Sequence, residues 1–209
     1  MREAAERIEE ATGMRVEIIG GTLVMSPSPS GKHAGIVIDL RDAIRPNLSP
    51  TYEAYENVSV PMPDDPDDYS TPDLTIGPRA FKEDDGWLLD ADAVALAVEV
   101  ISPSERLKGI NEKTAWYAAA RVPRLLQIDP RTGTWSLFTH PSADDYKTIT
   151  HGKYGEPVPS PPSSAATSPP PTSRCTANPR SADGHLLTAT RLPGWTRDRS
   201  FSRVSVSVE

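Results

Sequence analysis

Apolar and polar positions alternate with two different periods along the first three quarters of the chain. Glu3 to Ala11 places Ala4, Ile8 and Ala11 on one face, a helical spacing. The run RVEIIGGTLVMS that follows is two apolar stretches around Gly20-Gly21, which predicts a hairpin with a two-residue loop. After the loop PSPSG, Ile36, Leu40 and Ile44 predict a second helix from about Lys32 to Arg45, ended by Pro46. Tyr52 to Met62 reads as a strand, PDDPDDYS as an acidic loop, and Asp73-Leu74-Thr75-Ile76 as a strand opening after Pro72.

A polar connection, FKEDDGW, leads to AVALAVEVI (Ala93 to Ile101), a near-continuous apolar run of the kind found in central strands covered on both faces. Ser104 to Ala120 predicts a third helix with Ser104 as its N-cap. Arg124–Asp129 and Thr134–Thr139 form a second hairpin pair around PRTG. These elements predict an α/β fold, a mixed β-sheet core flanked by helices.

The texture changes near Glu156. From Pro157 the chain reads PVPSPPSSAATSPPPTSRCTANPRSADG, too poor in apolar residues to offset the entropy of ordering it. A body over residues 1–157 and a disordered tail over 158–209 are therefore expected, although the closing SRVSVSVE alternates like a strand. With 209 residues and 37% hydrophobic content, the chain has material for one sizeable core. No stretch approaches the roughly 18 apolar residues of a membrane span, and MREAAERIEEA reads as a charged helix rather than a signal peptide. A single cysteine, Cys175, gives no disulfide framework and no CxxC zinc site, so a reducing cytoplasm is the expected location.

Charge is divided unevenly. Residues 157–209 hold six arginines against Asp183, Asp198 and Glu209. Of the total of -7, this +3 leaves -10 on residues 1–156. So acidic a body argues against a protein held to nucleic acid by phosphate neutralisation alone. It leaves room for an enzyme that brings phosphates in through a metal cation.

Four ionisable residues stand out, each with a bland reading beside a functional one. Glu99 lies inside AVALAVEVI, where a carboxylate needs a cation or donors to meet it, unless it sits at an exposed strand end or beside an arginine. Asp73 follows Pro72 at the mouth of the acidic loop; alone this is ordinary turn chemistry. Carboxylates on two neighbouring strands would make a hard-oxygen site for a divalent cation such as magnesium. Lys113 shares a helical face with Ile110 and Tyr117, so its ammonium points towards the sheet or snorkels from the stripe's edge. Glu17, between Val16 and Ile18, falls on the opposite strand face, where a solvated role is expected. His33 opens the second helix and is expected to cap the loop or touch a phosphate, while His140, His151 and His185 show no ligand spacing. Neither GxGxxG, a Walker-type loop, HExxH nor GxSxG occurs.

The stretches VEIIGGTLVMSPSPSGKHAGIV, TPDLTI, LAVEVISPSE, EKTAWYAAARVP and LQIDPRTGTW occur in an order and spacing that resemble the Uma-two family. This is a restriction-endonuclease-like group within the PD-(D/E)XK nuclease superfamily, and the resemblance runs through about residues 1–157. It implies that Pro72-Asp73 is the PD element and Asp73 a metal ligand. Glu99 is then the acidic residue of (D/E)XK, and the Val100 carbonyl a further ligand. The pattern's lysine should stand at Ile101; in this family it is displaced to the following helix, where Lys113 matches. Glu17 matches an N-terminal acidic position that completes the metal shell. Arg121 stands where the family has glycine in its AAGVP turn. The family's closing strand and helix give way near Ser160 to the Pro/Ser/Thr tract, as a reading-frame shift late in the gene would produce.

The resemblance implies magnesium-dependent hydrolysis of DNA, with manganese as an alternative metal and a homodimer as the arrangement that cuts two strands. Asp73 and Glu99 would hold the cation and Lys113 would orient water or meet charge developing on the phosphate. The rival expectation is a non-catalytic nucleic-acid or protein binding module that keeps the fold. A carboxylate-pair sugar hydrolase ranks below both, since aromatics make up only 6% of the chain.

Overall fold

The computed structural model describes residues 1–159 and the short strand Thr190–Arg191. The remainder of the predicted tail, with SRVSVSVE, lies outside the described residues. The chain opens with α1 (Arg2–Thr12), which ends on Gly13 in the left-handed region at φ 66°. The hairpin β1 (Arg15–Ile19) and β2 (Thr22–Ser26) pairs Ile19 with Thr22. Its turn residues Gly20 and Gly21 have φ of 56° and 73°, the two positive values a tight two-residue turn of this hand requires. Helix α2 (Gly31–Ile44) is capped by Ser30, whose side chain accepts from the His33 amide.

The run read as one strand, Tyr52 to Met62, divides into β3 (Tyr52–Tyr55) and β4 (Val60–Met62), which join different sheets. Asn57, at φ 60°, turns the chain between them. The acidic segment expected as a loop is β5 (Asp65–Ser70). Its first three residues are exposed while Tyr69 and Ser70 are buried, so side-chain polarity there reflects an open surface rather than a lack of pairing. Then come β6 (Leu74–Pro78), β7 (Leu96–Val100), α3 (Leu107–Ala119), β8 (Arg124–Asp129), β9 (Thr134–Pro141) and β10 (Tyr146–Lys153). Helix α3 starts later than expected: Arg106 holds the N-cap position without a side-chain bond, and Ser104 lies in the preceding turn.

A six-stranded mixed sheet, ordered β10-β9-β8-β7-β6-β3, forms the centre, with β7 and β8 its parallel pair. Beside it stands a four-stranded antiparallel sheet, β2-β1-β5-β4, rather than an extension of the first. The fold is thus α/β as expected, with a second sheet that the pattern does not announce. Strand β11 (Pro157–Val158) pairs with β12 (Thr190–Arg191), and Val158 is buried in the main core.

Strand alternation decides which side chains meet. Leu96, Val98 and Val100 of β7 join Leu126 and Ile128 under α2, against Ile36, Leu40 and Ile44. Ala97 and Leu125 face the other way, into a second cluster with Trp116, Tyr117 and Ala118 of α3. Period two then places Glu99 on the α3 side of the sheet. In the smaller sheet Val16 and Ile18 pack with Ala5 and Tyr69, leaving Glu17 on the opposite face.

Candidate metal-assisted hydrolytic site

Five polar side chains close a hydrogen-bonded ring between the two sheets. Lys113 Nζ lies 2.8 Å from Glu99 Oε1 and 3.1 Å from Glu17 Oε1. The Tyr117 hydroxyl donates to Glu99 Oε1 at 2.5 Å and stands 3.0 Å from Ser70 Oγ. Ser70 in turn donates to Glu17 Oε1 at 2.7 Å. The Thr71 amide adds a second donor to that oxygen, also at 2.7 Å. Helix α3 supplies Lys113 and Tyr117 four residues apart, on the face turned towards Glu99.

The expectation for Glu17 is corrected here. Its strand face is indeed opposite Val16 and Ile18, but that face is closed by α3 and the end of β5, and only 2% of the residue is exposed. A buried carboxylate must find donors, and Glu17 finds three. Burial pushes its pKa up, yet the Lys113 and Arg15 charges and the Thr71 and Ser70 hydrogen bonds outweigh that and hold it below the usual value. Glu99 differs: burial dominates, the Asp73 and Glu17 charges add to it, and even with Lys113 opposing them its pKa is pushed up to about 7. Lys113, despite its own burial, is kept above the ordinary lysine range by the two glutamates.

Asp73 stands just before β6, at the same end of the sheet. The Val100 amide donates to its Oδ2 at 2.8 Å, His33 Nε2 lies 3.0 Å from Oδ1, and an Arg15 guanidinium nitrogen is 3.8 Å away. Burial alone would raise its pKa; the His33 and Val100 hydrogen bonds bring it below the usual value. His33 is raised in return, chiefly by the bond to Asp73. His33 therefore belongs to the carboxylate cluster, and Ser30, not His33, caps the loop.

The donor chemistry suits a hard divalent cation: Asp73 and Glu99 are carboxylates at one end of the sheet, and the Asp73 charge is felt at Glu99. Among the described residues no group of three His, Cys, Asp or Glu side chains is placed to hold a metal ion. Magnesium needs none, since it is commonly held by one or two carboxylates plus water and phosphate. The N–H and C=O of one strand residue face the same neighbour, so the Val100 carbonyl faces the side on which its amide meets Asp73.

Sequence reasoning missed Tyr117, Ser70, Thr71 and Arg15. Tyr117 carried a signal, standing one helical turn after Lys113; Ser70 was hidden at the end of a segment read as a loop, with Thr71 just beyond it.

A family model described as "Uma2: Putative restriction endonuclease" matches residues 2–167. Among solved structures, that of a putative nuclease belonging to DUF820 from Anabaena variabilis is similar with a TM-score of 0.58 at 20% identity. The match covers 72% of this chain and 83% of that one. Identity this low speaks for the fold alone. No curated protein matches the chain.

Proposed function

The chain belongs to the Uma2 family, described as "Putative restriction endonuclease", and from that premise we propose that it is a magnesium-dependent endodeoxyribonuclease of the PD-(D/E)XK type. The observation that carries the reading is the Lys113 ammonium, 2.8 Å from Glu99 in a buried polar ring, beside a second carboxylate at Asp73. Asp73, Glu99 and the Val100 carbonyl would hold magnesium, or manganese in its place. Once bound, the ion would polarise the scissile phosphate and lower the pKa of a water.

The remaining roles fall to the chain's own groups. Two glutamates keep Lys113 protonated, so it acts as a hydrogen-bond donor and positive charge towards the phosphate and not as a general base. Glu17, its Oε1 already shared by Ser70, Thr71 and Lys113, anchors that lysine rather than completing a metal shell. Tyr117 fixes the Glu99 carboxylate from the other side. His33 and Arg15 balance Asp73 before substrate arrives.

The test is cleavage of supercoiled and single-stranded DNA by the full chain in magnesium, manganese or EDTA, with Glu99→Gln as control. Metal-dependent cutting that Glu99→Gln abolishes is expected. A folded, metal-binding protein that cuts neither DNA form would overturn the reading in favour of a binding module. The specific observation favouring that rival is that each buried carboxylate already has a cationic partner within the protein.

A further inference from the structure

Next to the carboxylate site lies a cavity of about 410 Å³ that the hydrolytic roles leave unused. Its size falls within the roughly 300–1,000 Å³ range of small-molecule sites. It shares two walls with the site. Arg15 lines it and reaches to 3.8 Å from Asp73, and Thr71 lines it while its amide holds Glu17. On the other walls stand Trp87 and Tyr69, their rings edge to face at 5.0 Å. Trp87 keeps 43% of its surface exposed, so its ring is accessible to a ligand from solvent. The Arg2 guanidinium lies 5.4 Å from the Trp87 ring centre but is paired with Asp67 at 3.3 Å, so Arg15 is the cation that lines the cavity.

Asn57 completes the set. It lines the cavity and is exposed, on a left-handed backbone at φ 60° that asparagine readily adopts. Its amide carries both donors and an acceptor, the pairing that reads the edge of a base. An aromatic face, an amide and a neighbouring arginine are the three groups that a base with its attached phosphate calls for: stacking, edge recognition and charge.

We propose that this cavity is a nucleobase subsite, taking one unpaired base of the DNA strand whose backbone passes Arg15 to reach Asp73 and Glu99. The inference deepens the nuclease reading, from which it takes DNA as the ligand. A base can enter only from a single strand or by leaving the stack, so single-stranded or locally opened DNA is the preferred form.

The experiment measures binding apart from cutting. In EDTA, the full chain is titrated against labelled 12-nucleotide single strands of each base, a duplex, and dAMP as competitor. Trp87→Ala is expected to weaken single-strand binding by about 5- to 140-fold and to leave duplex binding unchanged. Asn57→Gly, whose φ glycine adopts freely, is expected to keep the fold and to flatten the differences among the four bases. It carries the test alone if Trp87→Ala does not fold. Unchanged single-strand binding in both variants would overturn the subsite, as would an equal loss on duplex. Competition by dAMP as strong as by the strand would reassign the cavity to free nucleotides. Strand binding that depends on Trp87, with no cutting in magnesium, would sink the nuclease reading and keep the subsite. Cutting in magnesium with unaltered binding in both variants would do the reverse.

Discussion

Glu17 and Lys113, ninety-six positions apart in the chain, meet at 3.1 Å with almost none of Glu17 exposed. The contact ties the four-stranded sheet to α3 and thereby to Glu99 on the central sheet. Removing the lysine would leave two buried carboxylates without their shared cation. Lys113→Met is expected to destabilise the fold by about 3–5 kcal/mol at pH 8, the cost typical of breaking a buried pair. The loss should shrink at pH 5.5, where Glu99 takes up a proton. Urea unfolding at the two pH values checks it; equal losses at both would refute the charge argument.

Tyr117→Phe deletes the hydroxyl that links Glu99 to Ser70. A hydrogen bond to a charged group contributes about 1.5–3 kcal/mol, and a loss in that range is expected in urea unfolding. If the hydroxyl positions Glu99 for metal, magnesium affinity should fall as well. A purely structural hydroxyl would lower stability and leave magnesium affinity at the wild-type value.

The Glu99 carboxyl titrates near 7, above the usual value of 4.5. The folded state therefore holds this proton more tightly than the unfolded chain. The stability it contributes is full below about pH 4.5 and is lost as pH rises through 7. Metal binding runs the opposite way, because a cation competes with the same proton. Magnesium affinity should drop about tenfold per pH unit below 7 and level off above it. Thermal shifts in magnesium between pH 5.5 and 8 read this directly, and Glu99→Gln should abolish both the shift and its pH dependence.

Asp73→Ala should likewise abolish stabilisation by magnesium or manganese. It also strips His33 of the bond that raises its pKa. An NMR titration of His33 should therefore show its pKa falling in Asp73→Ala. A shift by magnesium that survives in this variant would place the cation elsewhere.

Arg121 has φ 63°, just past the end of α3, where the Arg121 and Val122 amides bond back to Ala118 and Tyr117. This is the helix ending that glycine serves without strain. Arg121→Gly is expected to stabilise the fold by about 1 kcal/mol, the relief of a left-handed side-chain residue less glycine's entropic cost. Thermal unfolding decides, and a lower melting temperature would show that the arginine side chain contributes more than its backbone costs.

Local pattern was enough to determine much of this protein. The period of 3.6 in α1 and α2, the paired glycines at 20 and 21, and the apolar run around Val98 are short-range features, and each produced its element. The same run made Glu99 conspicuous, since a carboxylate among valines demands an explanation from sequence alone. Asp73 after its proline and Lys113 on the helical face of Tyr117 were likewise visible locally, and the family resemblance implied roles for them. Tertiary structure decided what covers each face. Alternation put Glu17 opposite Val16 and Ile18, but only the arrival of α3 against that face turned an apparently solvated acid into the buried anchor of Lys113. Likewise PDDPDDYS carries few strand-forming side chains and pairs as β5 because β1 and β4 offer it open edges, which brings Ser70 and Thr71 to Glu17. Backbone pairing and burial depend on partners far along the chain, and no local pattern encodes them.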